Sequence, residues 1–237
     1  MKLTVIVPIY NERSTIQTVL RRLADLALEK EIIVVDDGSS DGTRQYLENH
    51  ARQDLPGETR LLVLCHPENR GKGTAIRTAL RRAEGDFVII QDADLEYDPA
   101  EIPLLLEPLL QGRADIVYGS RFQGSIRGMG WTHRLANRIL TRTTNLLYGA
   151  RLTDEATGYK LFRRSVLNRI DLRCKRFEFC PEVTAKVLKL GYRIHERPIH
   201  SYVARHLDKK ITWRDGCSAF WVLVRERFND LFRLKSV

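Results

Sequence analysis

Short apolar segments alternate with segments of helical periodicity through the first half of the chain, and this alternation constrains the fold most. Five apolar segments are rich in Val, Ile and Leu with little polar alternation, as in strands covered on both faces: 3–10, 31–37, 59–66, 86–92 and 114–120. Helical periodicity lies between them, at 12–27, 42–50, 71–83 and 99–111. This order predicts an α/β fold with a mostly parallel central sheet and helices on both faces.

The pattern changes beyond residue 121. A glycine-rich, flexible loop is predicted at 122–130, followed by a basic helical segment at 131–149. The remainder predicts a helix at 180–191, a hairpin or edge strand at 192–203, and an amphipathic helix within 212–237. Since no internal repeat or low-complexity linker interrupts the chain, we expect residues 1–237 to form a single domain.

The net charge of +9 favours an anionic partner such as a phosphate, a nucleotide, an acidic membrane surface or nucleic acid. The four cysteines have no zinc-site or C-x-x-C spacing, which favours reduced thiols in the cytosol. The first apolar stretch is too short for a signal sequence, and no segment approaches the ~20 apolar residues of a membrane-spanning helix. We therefore expect a cytoplasmic protein.

The segment 87–99, FVIIQDADLEYDP, ends an apolar strand with four carboxylates. Asp92, Asp94 and Glu96 lie two residues apart, so in an extended chain their side chains share one side. Converging carboxylates favour Mg²⁺ or Mn²⁺, which also binds phosphate oxygens. The alternative is a solvated loop before a helix, and for Asp98 we prefer it, because Asp followed by Pro is a helix start.

Two further polar segments follow predicted strands. In VVDDGSSDGT, Asp36 and Asp37 are candidates to accept hydrogen bonds from a base or ribose; the alternative is a turn, with Ser40 or Asp41 capping the next helix. The segment NRGKG at 69–73 lacks P-loop spacing, and no dinucleotide-binding glycine motif follows the first strand. Its glycines let the backbone pass close to a ligand, with Lys72 near a nucleotide.

Taken together, six motifs resemble glycosyltransferase family 2 with the GT-A fold, and within it the dolichyl-phosphate mannosyltransferase-like group: VPIYNE, VVDDGSSDGT, NRGKGTAIRTAL, GDFVIIQDADLEYDP, GSRF and TGYKLFRR. The resemblance covers roughly 3–205 in order. It implies a Rossmann-like nucleotide-sugar-binding half at 1–120 and an acceptor-binding half at 121–211, whereas the amphipathic helix at 212–237 is predicted from its own pattern of apolar and basic residues.

The resemblance implies inverting transfer of a hexose, with mannose favoured, from GDP-mannose or UDP-glucose to a polyprenyl phosphate such as dolichyl or undecaprenyl phosphate. The implied nucleotide contacts are Pro8, Tyr10, Glu12 and Asp37, with Asp92, Ala93 and Asp94 at the ribose and diphosphate. Asp92, Asp94 and Glu96 would surround Mg²⁺ or Mn²⁺; many relatives carry Gln in place of Glu96.

Arg121 and Arg134 match basic positions that contact the acceptor and donor phosphates. Arg138 stands where the family often has serine. Arginine suits such contacts because its planar guanidinium binds phosphate through two parallel hydrogen bonds. A phosphate acceptor is already anionic near neutral pH, so it needs no dedicated general base.

Other readings stay open at the level of sequence. An alcohol acceptor, soluble or glycan, would need a carboxylate base, for which Asp154 and Glu155 are candidates, although a solvated-loop or helix-start role fits them equally. The basic segment around His195, His200 and 205–210 is either an exposed face or lies near acceptor or membrane. The last helix either packs on the core or a partner, or docks on the cytoplasmic face of a membrane, with a membrane-anchored partner subunit as a further option. The third interpretation is a basic nucleic-acid-binding protein. The absence of a recognisable nucleic-acid-binding module in the sequence argues against it.

Overall fold

The computed structural model describes residues 1–55, 59–204 and 213–233. Its strands are β1 Leu3–Ile9, β2 Lys30–Asp36, β3 Arg60–Cys65, β4 Phe87–Ile90, β5 Ile116–Ser120, β6 Lys160–Arg163 and β7 His195–Pro198. Its helices are α1 Ile16–Ala24, α2 Thr43–Asn49, α3 Lys72–Leu80, α4 Ile102–Leu110, α5 Trp131–Tyr148, α6 Arg164–Leu167, α7 Phe179–Lys189 and α8 Trp213–Arg233, and a 3₁₀ turn at Pro99–Glu101 leads into α4.

The strands form one seven-stranded sheet in the order β3-β2-β1-β4-β6-β5-β7. All neighbouring pairs are parallel except those of β6, which runs antiparallel between β4 and β5. The prediction of a mostly parallel sheet is confirmed. Each of the five predicted strands is present, and so is each predicted helix within the described residues, with boundaries that differ by a few residues. The predicted basic segment at 205–210 and the predicted helix ends at 212 and 234–237 lie outside the described residues.

Two details differ from the sequence-based expectation. Strand β6 was not predicted, because its four residues lie within a polar, basic segment with no strand-like alternation. Strand β3 is the sheet edge next to β2, and most of its side chains are partly or fully exposed, so it is not covered on both faces as expected. The edge-strand alternative for 192–203 is confirmed, because β7 pairs with β5 alone within the described residues.

Helices cover both faces of the sheet, as predicted. Apolar residues of α1, α2 and α4 join one core cluster with alternate residues of β1, β2 and β4. Apolar residues of α3, α6 and α7 join a second cluster on the opposite face. The burial of apolar surface on both faces stabilises the central strands by about 25 cal/mol for each Å² removed from water.

The sheet brings the polar segments that were predicted to form a site to the edge at which its parallel strands end. The parallel strands β1, β2, β3, β4 and β5 all end there, so the residues after each of them meet. Because β6 is antiparallel, the residues that precede it, 153–159, reach the same edge. This edge is therefore where a site can be assembled.

Candidate active site

The acidic segment that follows β4 concentrates negative charge in a few residues. Burial, together with the negative charges of Asp92 and Glu96, raises the pKa of Asp94 to about 7. The Asp94 Oδ1 accepts a hydrogen bond from the Glu96 amide at 3.0 Å, which bends the chain, and Leu95 takes a positive φ of 63° in the bend. Ala93 between the acids is buried. A cation bound here would relieve the repulsion.

Lys72 supplies one positive charge to this segment. Its Nζ lies 2.6 Å from Asp92 Oδ1 and 2.9 Å from Oδ2, so the ammonium bridges the carboxylate. Burial disfavours the charged ammonium, but the Asp92 carboxylate outweighs burial and raises the pKa of Lys72. The contact of Lys72 with Asp92 was not predicted, and the predicted place of Lys72 near a nucleotide stays a prediction.

The third acid of the segment, Glu96, contacts an aromatic residue. The Glu96 Oε2 accepts a hydrogen bond from the Tyr202 hydroxyl at 3.1 Å. Among residues 1–55, 59–204 and 213–233, no three acidic, histidine or cysteine side chains converge as a metal-ligand group. The binding of a metal ion by Asp92, Asp94 and Glu96 therefore stays a prediction, and the carboxylate oxygens of these residues are the ligands that a hard divalent cation prefers.

Asp37 organises the loop that carries Lys72. Its carboxylate, 4% exposed, accepts hydrogen bonds from the amides of Arg70 and Gly71 and lies 2.6 Å from His66 Nδ1. Gly71 has a φ of 92°, and a Cβ there would lie 2.4 Å from the Lys175 carbonyl oxygen. The Asp37 carboxylate therefore fixes the start of α3, a structural role that the sequence did not reveal. Its predicted contact with a base stays a prediction.

The neighbouring Asp36 and Asp41 fit the turn alternative. Asp36 is buried, and its carboxylate bonds to the Arg44 side chain at 2.8 Å and 2.9 Å. Asp41 accepts hydrogen bonds from the amide and hydroxyl of Thr43, at the first turn of α2. Asp98 caps the turn at 99–101 by accepting from the Ala100 amide at 3.0 Å, as predicted.

The residues after β1 border the same edge. Pro8 lies within β1, and Tyr10 follows it with 36% of its surface exposed. Glu12 is buried and accepts a hydrogen bond from the Thr15 hydroxyl at 3.0 Å. Asn11 links this segment to the next one, since its amide bonds to Ser39 and its side chain accepts from the Ser40 amide. The segments after β1 and β2 are thereby held together.

Arg121 is buried beneath the edge. Its Nε and Nη2 donate to the two oxygens of Asp154 at 2.7 Å and 2.8 Å, and its guanidinium lies 5.2 Å from the centre of the Tyr202 ring. The predicted phosphate contact of Arg121 therefore competes with a buried ion pair that sequence reasoning missed. Asp154 and Glu155 are both fully buried, so the solvated-loop reading of these acids is wrong.

Arg134 and Arg138 lie on α5. Arg134 is partly buried, and its Nε donates to the Met129 carbonyl oxygen at 3.1 Å. Arg138 is exposed, with its guanidinium 5.8 Å from the centre of the Phe122 ring. Among the described residues, neither arginine forms a hydrogen bond or ion pair with the acidic segment, so their predicted phosphate contacts stay predictions.

Three residues complete the site without having been predicted. Gly158, before β6, lies against Asp92, because a Cβ on it would be 2.9 Å from Asp92 Oδ2 and 3.0 Å from the Tyr97 ring. The Tyr97 hydroxyl accepts from the Gly158 amide at 2.9 Å, and the Tyr97 ring packs on that of Tyr202, with centres 5.1 Å apart. The sequence shows Tyr97 in LEYDP and Tyr202 in HSYV as aromatic residues, but only the long-range fold brings the two rings together.

The chain is similar to known glycosyltransferases. A model described as glycosyl transferase family 2 matches residues 4–171. An undecaprenyl-phosphate mannosyltransferase of Micrococcus luteus is 32% identical over 88% of this chain and 86% of its own length. An undecaprenyl-phosphate 4-deoxy-4-formamido-L-arabinose transferase of Pseudomonas fluorescens is 33% identical over 87% of this chain, which spans 59% of that protein. A low-salt glycan biosynthesis hexosyltransferase of Haloferax volcanii is 30% identical over 83% of this chain and 47% of its own length.

Solved structures support the fold. Glucosyl-3-phosphoglycerate synthase of Mycobacterium tuberculosis superposes with a TM-score of 0.70 at 20% identity, over 96% of this chain and 80% of that one. The same enzyme with Mg²⁺ and uridine diphosphate gives a TM-score of 0.71 at 23% identity, over 96% and 78% of the two chains. The GT-A fold predicted from the motifs is thereby confirmed. The family match and the curated transferases confirm the interpretation of the protein as an enzyme. The chain belongs to glycosyltransferase family 2.

Proposed function

We propose that the protein transfers a hexose, with mannose favoured, from a nucleotide sugar to a polyprenyl phosphate, with inversion at the anomeric carbon. Two relatives that are 32% and 33% identical are named for transfer to undecaprenyl phosphate. The observation that carries the proposal is the pair Asp92 and Asp94 at the end of β4, with Lys72 bound to Asp92. A site with this charge suits the diphosphate of a donor only when cations accompany it.

A phosphate acceptor fits the site better than an alcohol. An alcohol would need a carboxylate base at its hydroxyl. The Asp154 carboxylate is fully buried and bound by Arg121, and Glu155 is also fully buried. A phosphate monoester carries its own negative charge near pH 7, so one of its oxygens can form the bond to the anomeric carbon as the bond to the diphosphate oxygen breaks.

The chain's own residues would position the donor around this reaction. Asp92 and Asp94 would hold Mg²⁺ or Mn²⁺, which when bound neutralises the charge that develops on the leaving diphosphate. The Lys72 ammonium, bound to Asp92 in the structure, would turn towards the diphosphate when a donor binds, because its side chain is long and has several rotatable bonds. Tyr10 and the loop fixed by Asp37 form the border against which a nucleoside would lie.

The acceptor would be bound by arginine side chains and reached at the membrane surface. Arg134 and Arg138, on one helix, would contact the acceptor phosphate, and Arg121 would support them from beneath. No helix within the described ranges is long and apolar enough to cross a bilayer. We propose peripheral binding at the cytoplasmic face of the membrane, where a membrane-anchored partner subunit could also contribute.

The direct test uses labelled GDP-mannose and UDP-glucose with undecaprenyl or dolichyl phosphate in detergent, with and without Mn²⁺. We expect label in the organic phase with one donor, and loss of transfer after chelation with EDTA. Label that remains in water with a soluble or glycan acceptor would favour the alternative acceptor class. Equal transfer in EDTA would contradict the metal requirement while leaving the acceptor assignment intact.

A further inference from the structure

Helix α5 turns its apolar stripe away from the protein. Four large apolar side chains, four or seven residues apart, are exposed on it: Trp131, Leu135, Ile139 and Leu146. Leu146 is 86% exposed and Trp131 is 75% exposed. The buried positions of the same helix are threonines, Thr141 and Thr144. This is the reverse of an ordinary surface helix, whose apolar side faces the core.

Helix α8 has two apolar sides. One side packs inward through Ala219, Val222 and Leu223. The other side exposes Phe220, Trp221 and Phe228, of which Trp221 is 63% exposed. The three aromatic side chains keep 41–63% of their surface exposed, so they lie outside the packed core of the described residues.

The two helices are neighbours. The Tyr148 hydroxyl at the end of α5 donates to the Leu223 carbonyl oxygen in α8 at 2.7 Å, and the Arg227 guanidinium lies 5.9 Å from the centre of the Tyr148 ring. We call the exposed apolar residues of both helices the α5–α8 surface: Trp131, Leu135, Ile139, Leu146, Phe220, Trp221 and Phe228. Contiguous exposed apolar residues mark interaction sites in soluble domains.

Positive charge accompanies this surface. Helix α5 contains no acidic residue, and Arg138 and Arg142 are exposed on it. Arg225 and Arg227 are exposed on α8, between Trp221 and Phe228 in the sequence, and Arg225 also pairs with Glu226 at 3.2 Å. Apolar and aromatic side chains bordered by arginine suit the boundary between acyl chains and anionic headgroups. We propose that the α5–α8 surface docks the protein on an anionic lipid bilayer.

The position of the surface agrees with this occupant. Helix α5 follows the segment 122–130, which is held by backbone hydrogen bonds from Ser125 to Ile199 and from Arg127 to Tyr202. Tyr202 in turn bonds to Glu96 in the acidic segment. The surface is thus connected to the candidate active site through a short chain of contacts. The biological purpose of docking, access to a lipid acceptor, rests on the proposed function, but the docking itself does not.

A second copy of the chain is the competing occupant. A symmetric dimer through this surface would bring the arginines of both copies close together, which opposes association. An anionic bilayer instead gains from the same charges, at about 1 kcal/mol for each Lys or Arg near the surface. The charge therefore favours lipid over self-association.

The test uses intact protein and vesicles of phosphatidylcholine alone or mixed with phosphatidylglycerol. Trp131 and Trp221, two of the three tryptophans of the chain, belong to this surface, so tryptophan emission responds to its burial. We expect a blue shift and co-sedimentation with the anionic vesicles. The variant Leu135→Glu/Leu146→Glu should lower vesicle partitioning by about tenfold or more. The matched control Leu104→Glu/Leu110→Glu changes two exposed leucines of α4 and should bind as the unmodified protein does.

The outcomes separate the two proposals. Unchanged vesicle binding by the α5 variant, or equal loss in the α4 control, would overturn docking through this surface. So would a dimer in solution that the α5 substitutions dissociate, without vesicle binding by the unmodified protein. A short isoprenoid phosphate that stays in solution should be used equally by the α5 variant and the unmodified protein. Absence of transfer to every acceptor, with vesicle binding intact, would contradict the proposed function and leave the docking surface standing.

Discussion

The ion pair between Lys72 and Asp92 is the most informative contact at the scale of single residues. The ammonium lies within 3 Å of both Asp92 oxygens, where it offsets part of the acidic charge. Burial, Asp92 and Glu96 raise the pKa of Asp94 to about 7. In the proposed function, Lys72 would exchange Asp92 for a donor diphosphate when a divalent cation binds the acids.

Replacing Lys72 by methionine tests this exchange. A charge-assisted hydrogen bond contributes about 1.5–3 kcal/mol, so we expect Lys72→Met to weaken nucleoside diphosphate binding by about tenfold to a hundredfold. In the absence of nucleotide, Mn²⁺ should bind more tightly, because the competing ammonium is gone. Isothermal titration measures both affinities. The matched variant Lys72→Arg keeps the charge and should retain part of the nucleotide affinity; no change in either variant would exclude the role.

The buried pair of Arg121 and Asp154 makes a prediction about stability. Removal of one member leaves an uncompensated buried charge, so Asp154→Ala should lower the free energy of unfolding by about 3–5 kcal/mol. Asp171→Ala removes one member of an exposed pair with Arg173 and is the matched control, with no measurable change expected. Urea denaturation compares the two. Similar midpoints for Asp154→Ala and the unmodified protein would show that the pair does not stabilise the fold.

At the scale of elements, the antiparallel strand β6 shapes the site. It carries the segment 153–159 back to the edge where the parallel strands end, and so seats Gly158 against Asp92 and Tyr97. Short apolar strands and amphipathic helices could be predicted, because their periodicity is local. Strand β6 could not, because its four residues are specified by pairing with β4 and β5 rather than by their own pattern.

The seat of Gly158 can be tested with one methyl group. In Gly158→Ala the new Cβ would lie 2.9 Å from Asp92 Oδ2, so Asp92 or the loop must move. Overpacking of this kind costs about 1–3 kcal/mol, and we expect metal-dependent nucleotide affinity to fall by about fivefold or more. Gly216→Ala, where a Cβ meets no atom within 4 Å, is the control. Titration with nucleoside diphosphate and Mn²⁺ decides, and equal affinities would contradict the close contact.

For the whole molecule, the sequence predicted the architecture and the place of the site, but less of how the site residues are used. Asp98 as a helix cap follows from its neighbour Pro99, and its hydrogen bond is present. By contrast, the burial of Asp154, the bonds of Asp37 to the Arg70 and Gly71 amides, and the contact of Glu96 with Tyr202 join residues 33 to 106 positions apart. Such pairings depend on the assembled sheet, so local patterns cannot reveal them.

The central claim is that Asp92 and Asp94 bind the donor diphosphate through a divalent cation. The decisive measurement is calorimetric titration of GDP and UDP, with and without Mn²⁺, into the unmodified protein and into Asp92→Asn/Asp94→Asn. Asp98→Asn, in the same segment, is the matched control, because asparagine also caps helices. We predict that binding by the unmodified protein and by Asp98→Asn requires Mn²⁺, and that the double variant binds neither nucleotide. Mn²⁺-dependent binding that persists in the double variant would contradict the account.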